Sequence, residues 1–283
     1  MRILIVIDGS SQAGTTLRLA AHLLRGYVVD EPHVLLAVIR HEAERPRANS
    51  TLVQASQMLA APNVQVKTRV GRPDREILQE VQEDHYDLLV MGEGWHRRLL
   101  VACHEQNLTA ARVAEQAPCP VLVAAGRVGP IRRILLCDSG ARSPLATSGL
   151  DTPLLDRFTA SLADLFGGEE EVTVLHVMSQ ISAGPGVRGK QLRANVEELI
   201  AEQAPEGELL KQDLQTLSRP GIHPRPKVRH GLVVEEILEE ARDGDYDLVV
   251  VGAHRGEGWQ RVLLDDLAHE ILLQIDRPIL VVR

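Results

Sequence analysis

The sequence predicts an α/β protein made of two tandem doubly wound domains, each a five-stranded parallel sheet with helices on both faces. Three observations carry this. The first is an internal repeat in the 283-residue chain. "VGRPDREILQEVQEDHYDLLVMG" (Val70 to Gly92) aligns without a gap with "HGLVVEEILEEARDGDYDLVVVG" (His230 to Gly252), with glycines and a Tyr-Asp pair in register. The second is that short runs of Val, Ile and Leu alternate with segments of helical period. Strands that are apolar throughout are buried on both faces, as parallel strands between helix layers are. The third is an aromatic content of only 2%. The core must therefore be aliphatic, which suits layers of helix on sheet.

The elements follow in order. In the first half, apolar runs predict strands at Ile3–Asp8, Val34–Ile39, Val64–Val70, Leu88–Gly92 and Val121–Ala124. Helical periodicity falls at Gln12–Arg25, Thr51–Ala60, Asp74–Glu83 and Glu105–Gln116. In the second half the strands are Arg133–Asp138, Glu171–Met178, Lys227–His230, Leu248–Gly252 and Ile279–Val282. Its helices are Pro153–Phe166, Arg188–Leu217 (interrupted by Pro205), Val233–Arg242 and Arg261–Ile275. The flanks repeat at shifted offsets: "RILIVIDGS" resembles "RRILLCDSG", with Asp8 opposite Asp138, and "PCPVLVA" resembles "DRPILVV". The domains are accordingly 1–126 and 131–283. Residues 127–130, in the glycine- and proline-bearing "AGRVGPIRR", form the linker.

Bulk composition excludes several classes. A net charge of −8 repels nucleic acid and anionic membranes, and no basic run with interleaved aromatics opposes that. Cys103, Cys119 and Cys137 lack CxxC spacing, so neither zinc nor a disulfide framework is expected, and free thiols fit a reducing compartment. The apolar start "MRILIVIDGS" is too short for a signal peptide, and no apolar run approaches the ~20 residues that span a bilayer. A soluble cytoplasmic protein is expected.

Ligands on doubly wound sheets bind beyond the carboxyl ends of the strands. Each half places two candidates there. Asp8 and Asp138 end the first strands, where a carboxylate either accepts from a ligand's N–H or hydroxyl groups or caps the following helix. The loops after the fourth strands, "GEGWHRRLLVACHEQN" and "GAHRGEGWQRVLLDD", carry Gly92, Gly252 and Gly258, which let a backbone approach a phosphate. Both contain Gly-Trp, with Trp95 and Trp259 the chain's two tryptophans. Arg97, Arg98, Arg255 and Arg261 add positive charge. Neither loop is a P-loop or a GxGxxG turn, and the plainer reading is a surface loop with its Trp packed on the helix below. His22, His85, His176, His254 and His269 show no Ser/Asp partner or metal spacing, and no HExxH or GxSxG occurs. The sequence therefore predicts no catalytic residue and no metal. Glu197 to Leu217 reads as a charged amphipathic helix covering the sheet, lying solvated or docking a partner.

The strand ends "IDGS", "EQAPCPVLVAA", "YDLLVMG" and "YDLVVVGAH" resemble the universal stress protein family in its tandem form, over nearly the whole chain. The resemblance implies a Rossmann-like fold of the adenine-nucleotide alpha-hydrolase type in both domains. It also implies an intramolecular pseudo-dimer of the two halves through "PVLVAA" and "PILVV", with higher homo-oligomers an option, and a non-enzymatic stress-response or regulatory role. ATP is the cofactor it offers. In nucleotide-binding members the pattern is Gly-x-x-Gly, nine residues, then Gly-Ser or Gly-Thr, with a strand-one Asp on the adenine. Carried onto the second half, Gly252 matches, but Arg255 holds the second glycine position and Asp265-Asp266 the Gly-Ser position. In the first half Gly92 matches and Trp95 replaces the second glycine. With Asp265-Asp266 at the start of a helix, two carboxylates would repel a triphosphate and occupy the N–H groups it needs. A Mg²⁺ bridging those acids to phosphates would reverse that sign. The expectation is thus a binding protein with degenerate nucleotide loops. An ATP-binding switch using Asp8 or Asp138 and a weak ATP hydrolase are the alternatives.

Overall fold

The computed structural model describes residues 1–7, 13–24, 31–59, 61, 63–92, 109–137, 170–178, 194–218, 222, 224–252 and 259–282. The chain divides into two compact units, 1–130 with the C-terminal residues 275–281, and 131–274. In the first unit the elements are β1 (Ile3–Ile7), α1 (Ala13–Leu24), β2 (His33–Ile39), a 3-10 turn (Glu42–Glu44), α2 (Arg45–Leu59), β3 (Val64–Val70), α3 (Pro73–Glu83), β4 (Leu88–Gly92), α4 (Thr109–Gln116) and β5 (Val121–Ala124). The second unit contains β6 (Arg133–Cys137), β7 (Glu171–Met178), α5 (Val196–Ala201), α6 (Pro205–Leu217), β8 (Arg225–His230), α7 (Val233–Asp243), β9 (Leu248–Gly252) and α8 (Trp259–Gln274). The last strand is β10 (Ile279–Val282).

Strand order is β3-β2-β1-β4-β5 in the first unit and β9-β6-β7-β8 in the second, all parallel. The α/β class and the parallel sheets are as the sequence predicts. β1, β2 and β5 are buried along their whole length, as apolar runs between helix layers must be. In β3 the faces are read from partners: Lys67 and Arg69 reach α3, while Thr68 donates to Asn49 of α2. Alternate residues face opposite ways, so α2 and α3 cover opposite faces. Residues 279–281 of β10 fall in the first unit and pair antiparallel with β5, Leu280 opposite Leu122. Gly126 makes the adjoining turn at φ +55°, and a Cβ there would lie 1.7 Å from the Asp276 carbonyl oxygen. Only glycine fits that approach.

Three helices differ from their predicted spans by two residues or more. The helix expected at Thr51–Ala60 starts at Arg45, because Pro46 in a first turn needs no N–H donor. The helical region expected at Arg188–Leu217, interrupted by Pro205, is two helices, α5 and α6, of which α5 begins only at Val196. Asn195 and Glu198 form a reciprocal capping box at the start of α5, Gln203 takes φ +52°, and Pro205 begins α6 afresh. The closing helix runs Trp259–Gln274 rather than Arg261–Ile275. The predicted helix Pro153–Phe166 and residues 105–108 of the fourth lie outside the described residues.

A buried carboxylate holds each unit together. Glu80 is fully buried on α3. Its Oε1 accepts from Lys67 Nζ at 2.9 Å and Tyr86 Oη at 2.8 Å, and its Oε2 from Arg69 Nη1 at 2.9 Å. Arg69 also donates to Glu76 at 3.0 Å and Glu83 at 2.7 Å. Glu240 on α7 repeats the arrangement, with Lys227 at 2.8 Å, Tyr246 at 2.9 Å and Arg229 at 2.7 Å. Burial alone would push both carboxyls up. The bonds from Lys67, Tyr86 and Arg69, and from Lys227, Arg229 and Tyr246, outweigh it and hold both below the ordinary carboxylate value. Burial, with the Glu240 bond, pushes the Tyr246 phenol up to about 12. The Tyr-Asp pair completes the join: Asp87 accepts from the Arg2 backbone N–H at 2.6 Å, and Asp247 from those of Arg132 and Arg133 at 2.9 Å. Arg2 stacks over Tyr86 and Arg133 over Tyr246.

Gly71 and Gly231 serve the same clamp. Both have strongly positive φ, +154° and +157°, and a Cβ would meet the carboxylates of Glu76 and Glu236 at 2.5 and 2.3 Å. His33, 1% exposed, is a further buried polar group: its Nδ1 accepts from the Ile3 N–H, and burial pushes its pKa down.

The clamp makes a prediction for stability against pH. Glu80→Gln should lower unfolding free energy at pH 7 by about 3 kcal/mol, the lower end for a broken buried pair because Lys67 reaches solvent. Glu80 has a depressed folded-state pKa, so its contribution is complete above the ordinary value of 4.5 and is lost as pH falls through the folded value. Urea midpoints of wild type and variant should therefore differ at pH 7 and draw together as pH falls from 4.5 through the depressed folded-state value.

Candidate functional site

The strand orders create one switch point in each unit. From β1 the chain passes through α1 to β2 on one side, and from β4 through α4 to β5 on the other. Such a switch point, at the carboxyl ends of β1 and β4, is the crevice position at which open α/β sheets bind ligands. β6 and β9 hold the equivalent position in the second unit.

Register fixes what flanks each crevice. Val6 pairs with Met91, and one residue further the strands end in Ile7 and Gly92. Cys137 pairs with Val251, and β9 ends one residue on in Gly252. Gly92 and Gly252 thus sit alike, each half-buried and without a side chain at the lip of its crevice. Asp8 and Asp138 directly follow Ile7 and Cys137 in the chain, but lie outside the described residues, as do Gly258, Trp95, Arg97, Arg98, Arg255, His254 and Cys103.

The closing helix changes the reading of the acids. Asp265 and Asp266 were expected at a helix start, but α8 opens at Trp259, so their backbones lie almost two turns inside it. Backbone N–H groups there bond to carbonyls four residues back. They are taken by the helix and not by capping carboxylates. The free N–H groups of α8 belong to its first turn, directly after Gly258.

The remaining candidates do not converge. His85 is exposed beside Asp87, at 3.5 Å, before β4 and so at the opposite strand edge from the crevice. His176 is buried on β7, His22 lies on α1 and His269 on α8. Among the described residues no three His, Cys, Asp or Glu side chains gather as metal ligands. Burial pushes the Cys119 thiol up to about 11, so it is no thiolate at neutral pH. Among the described residues no helix is long and apolar enough to cross a membrane.

Sequence reasoning missed the buried-glutamate clamp. Its signal was present: Lys67 and Arg69 match Lys227 and Arg229 just upstream of the aligned segment, and these positions hold two of the chain's four lysines. The clamp lies between helix and sheet, with its Tyr-Asp part at the entry to β4 and β9 rather than at the crevices.

The model of the universal stress protein family matches residues 1–125 and 154–283. No curated protein matches the chain. A universal stress protein of Archaeoglobus fulgidus is similar in structure, with a TM-score of 0.64 at 16% identity over 100% of this chain and 96% of its own. A functionally unknown protein of Pseudomonas aeruginosa is similar with a TM-score of 0.65 at 19% identity, over 99% of this chain and 92% of its own. At these identities the likeness is one of fold.

The helix position of the acids is directly testable. Interior Asp is a poorer helix former than Ala, so Asp265→Ala and Asp266→Ala should each raise stability by up to about 0.7 kcal/mol in urea denaturation. A loss of about 1 kcal/mol, as for a removed N-cap, would contradict the placement.

Proposed function

The chain belongs to the universal stress protein family, and on that premise we propose that it is a non-enzymatic stress-response protein that binds and regulates at its two switch-point crevices. Its family domains are 1–126 and 131–283, joined by 127–130. The two halves act as an intramolecular pseudo-dimer in the cytoplasm, with neither nucleic acid nor membrane as partner. The antiparallel β5–β10 pairing supports the pseudo-dimer, since it joins the closing strands of both sequence halves.

The observation that carries the reading is the course of α8. The family's nucleotide pattern needs a helix start with free N–H groups at the positions of Asp265 and Asp266. In this chain both positions are regular helix, and Arg255 fills the place of the second glycine. Among the glycine and Gly-Ser positions of that pattern, Gly252 alone is retained in the second half, with Gly92 its counterpart in the first. The helical course at Asp265 and Asp266 supports a second crevice that does not hold ATP in the family manner, and Trp95 in the place of the second glycine supports the same for the first.

One observation favours a second reading, an adenine-nucleotide switch. The first turn of α8 follows Gly258, so a phosphate displaced toward Gly258 would meet free N–H groups there. Asp138 would then take the base, with Asp8 and Gly92 in the equivalent roles.

Mass spectrometry of small molecules released from denatured protein, with calorimetric titration of MgATP, separates the two. The binding-scaffold reading expects no adenine nucleotide to co-purify and no saturable heat up to about 1 mM, an affinity of about −4 kcal/mol. Stoichiometric ATP, with affinity lost in Asp138→Ala, would establish the switch. ATP turnover by clean protein, abolished in Asp265→Ala, would establish a hydrolase.

A further inference from the structure

We propose that the free edge of β3 is a self-association surface, on which a second copy of this chain adds its own β3 antiparallel about a twofold axis. β3 is the terminal strand of its sheet, and its seven residues pair with β2 without a break or bulge. The His33 N–H donates to the Asn63 carbonyl and the Gly71 N–H to that of Ile39. Backbone groups alternate along a strand. Residues 63, 65, 67, 69 and 71 therefore face β2, and Val64, Val66, Thr68 and Val70 turn their N–H and C=O groups outward. Val66 is 48% exposed and Val70 36%, and Val53 of α2, on the same face as Thr68's partner Asn49, is 50% exposed.

Edge strands are ordinarily blunted by proline, bulges or outward charge. The charges of β3 do not blunt it, because Lys67 and Arg69 are drawn onto α3 by Glu76, Glu80 and Glu83. The second unit supplies the contrast. β8 is the terminal strand there and repeats the same Lys-x-Arg clamp, but Pro226 stands where β3 has Val66. The Gly231 N–H donates to Met178, so by the same alternation Pro226 faces outward and offers no donor. Among the described residues the β3 edge is thus open and the β8 edge blocked. That asymmetry identifies the occupant: growth of β3 onto β8 is prevented, and pairing of β3 with itself closes at two copies.

Charge selects the register. Centring on Lys67 sets Lys67 against its own copy, and centring on Thr68 sets it against Arg69 of the partner, both unfavourable. Centring on Val66 places Val66 against Val66, Val64 against Thr68, and Lys67 against the uncharged Gln65. The apolar side chains then meet on the α2 face.

Sedimentation equilibrium of the full chain tests this, with Val66→Pro as the main variant, since the equivalent strand β8 folds with proline there. Wild type is expected as a dimer at about 0.1 mM, where even a Kd near 10 µM populates it. Val66→Pro should sediment as a monomer with an unchanged circular dichroism spectrum. Val66→Lys, which sets like charges together at the twofold, should do the same and covers the case in which the proline variant misfolds. A monomeric wild type, or a dimer that survives both substitutions, overturns the proposal.

Discussion

The buried carboxylates of Glu80 and Glu240 are the interaction on which the rest depends. Each is fully buried, and each carries donors on both oxygens. Leaving such a charge unpaired would cost several kcal/mol, so once one member of the set is present the others are required. The set joins three elements at once: the edge strand through Lys and Arg, the crossover helix through Glu, and the entry to the next strand through Tyr. A hydrophobic replacement of equal volume could be as stable, but it would not fix which strand lies under which helix. The clamp is a device of register as much as of stability.

That division of labour explains the repeat. The identities that align best between the halves, the Tyr-Asp pair and the Glu-Ile-Leu run, belong to the clamp and the strand entries. At the carboxyl ends, where a ligand would sit, the halves agree in Gly92 and Gly252 and then diverge into Trp95 against Arg255. A framework under one constraint thus leaves the sequences beyond the two fourth strands free to differ.

Much of the fold was legible in the sequence because it rests on periodicity. The strands at Val64–Val70, Leu88–Gly92 and Glu171–Met178 stand at their predicted bounds, since apolar runs between turn residues leave no other choice. What escaped was set by single residues acting against the pattern. Pro46 lengthened α2 and the Asn195–Glu198 capping box set the start of α5, while α8 begins at Trp259 and holds Asp265 and Asp266 in its interior rather than at its start. The clamp escaped because its members are charged and look like solvated helix faces until folding brings α3 over β3. At the site, the places of Gly92 and Gly252 follow from strand register alone. The loops beyond them carry no periodicity from which a geometry could be read.

The central claim is that each half is held by its own buried-carboxylate clamp. Native-state hydrogen exchange on Glu80→Gln, resolved by segment, tests it most directly. Amides of β3, α3 and β4 should exchange roughly a hundredfold faster than in wild type, as a local loss of about 3 kcal/mol requires, while those of β8, α7 and β9 keep their protection. Equal acceleration in both halves, or none in either, would contradict the account.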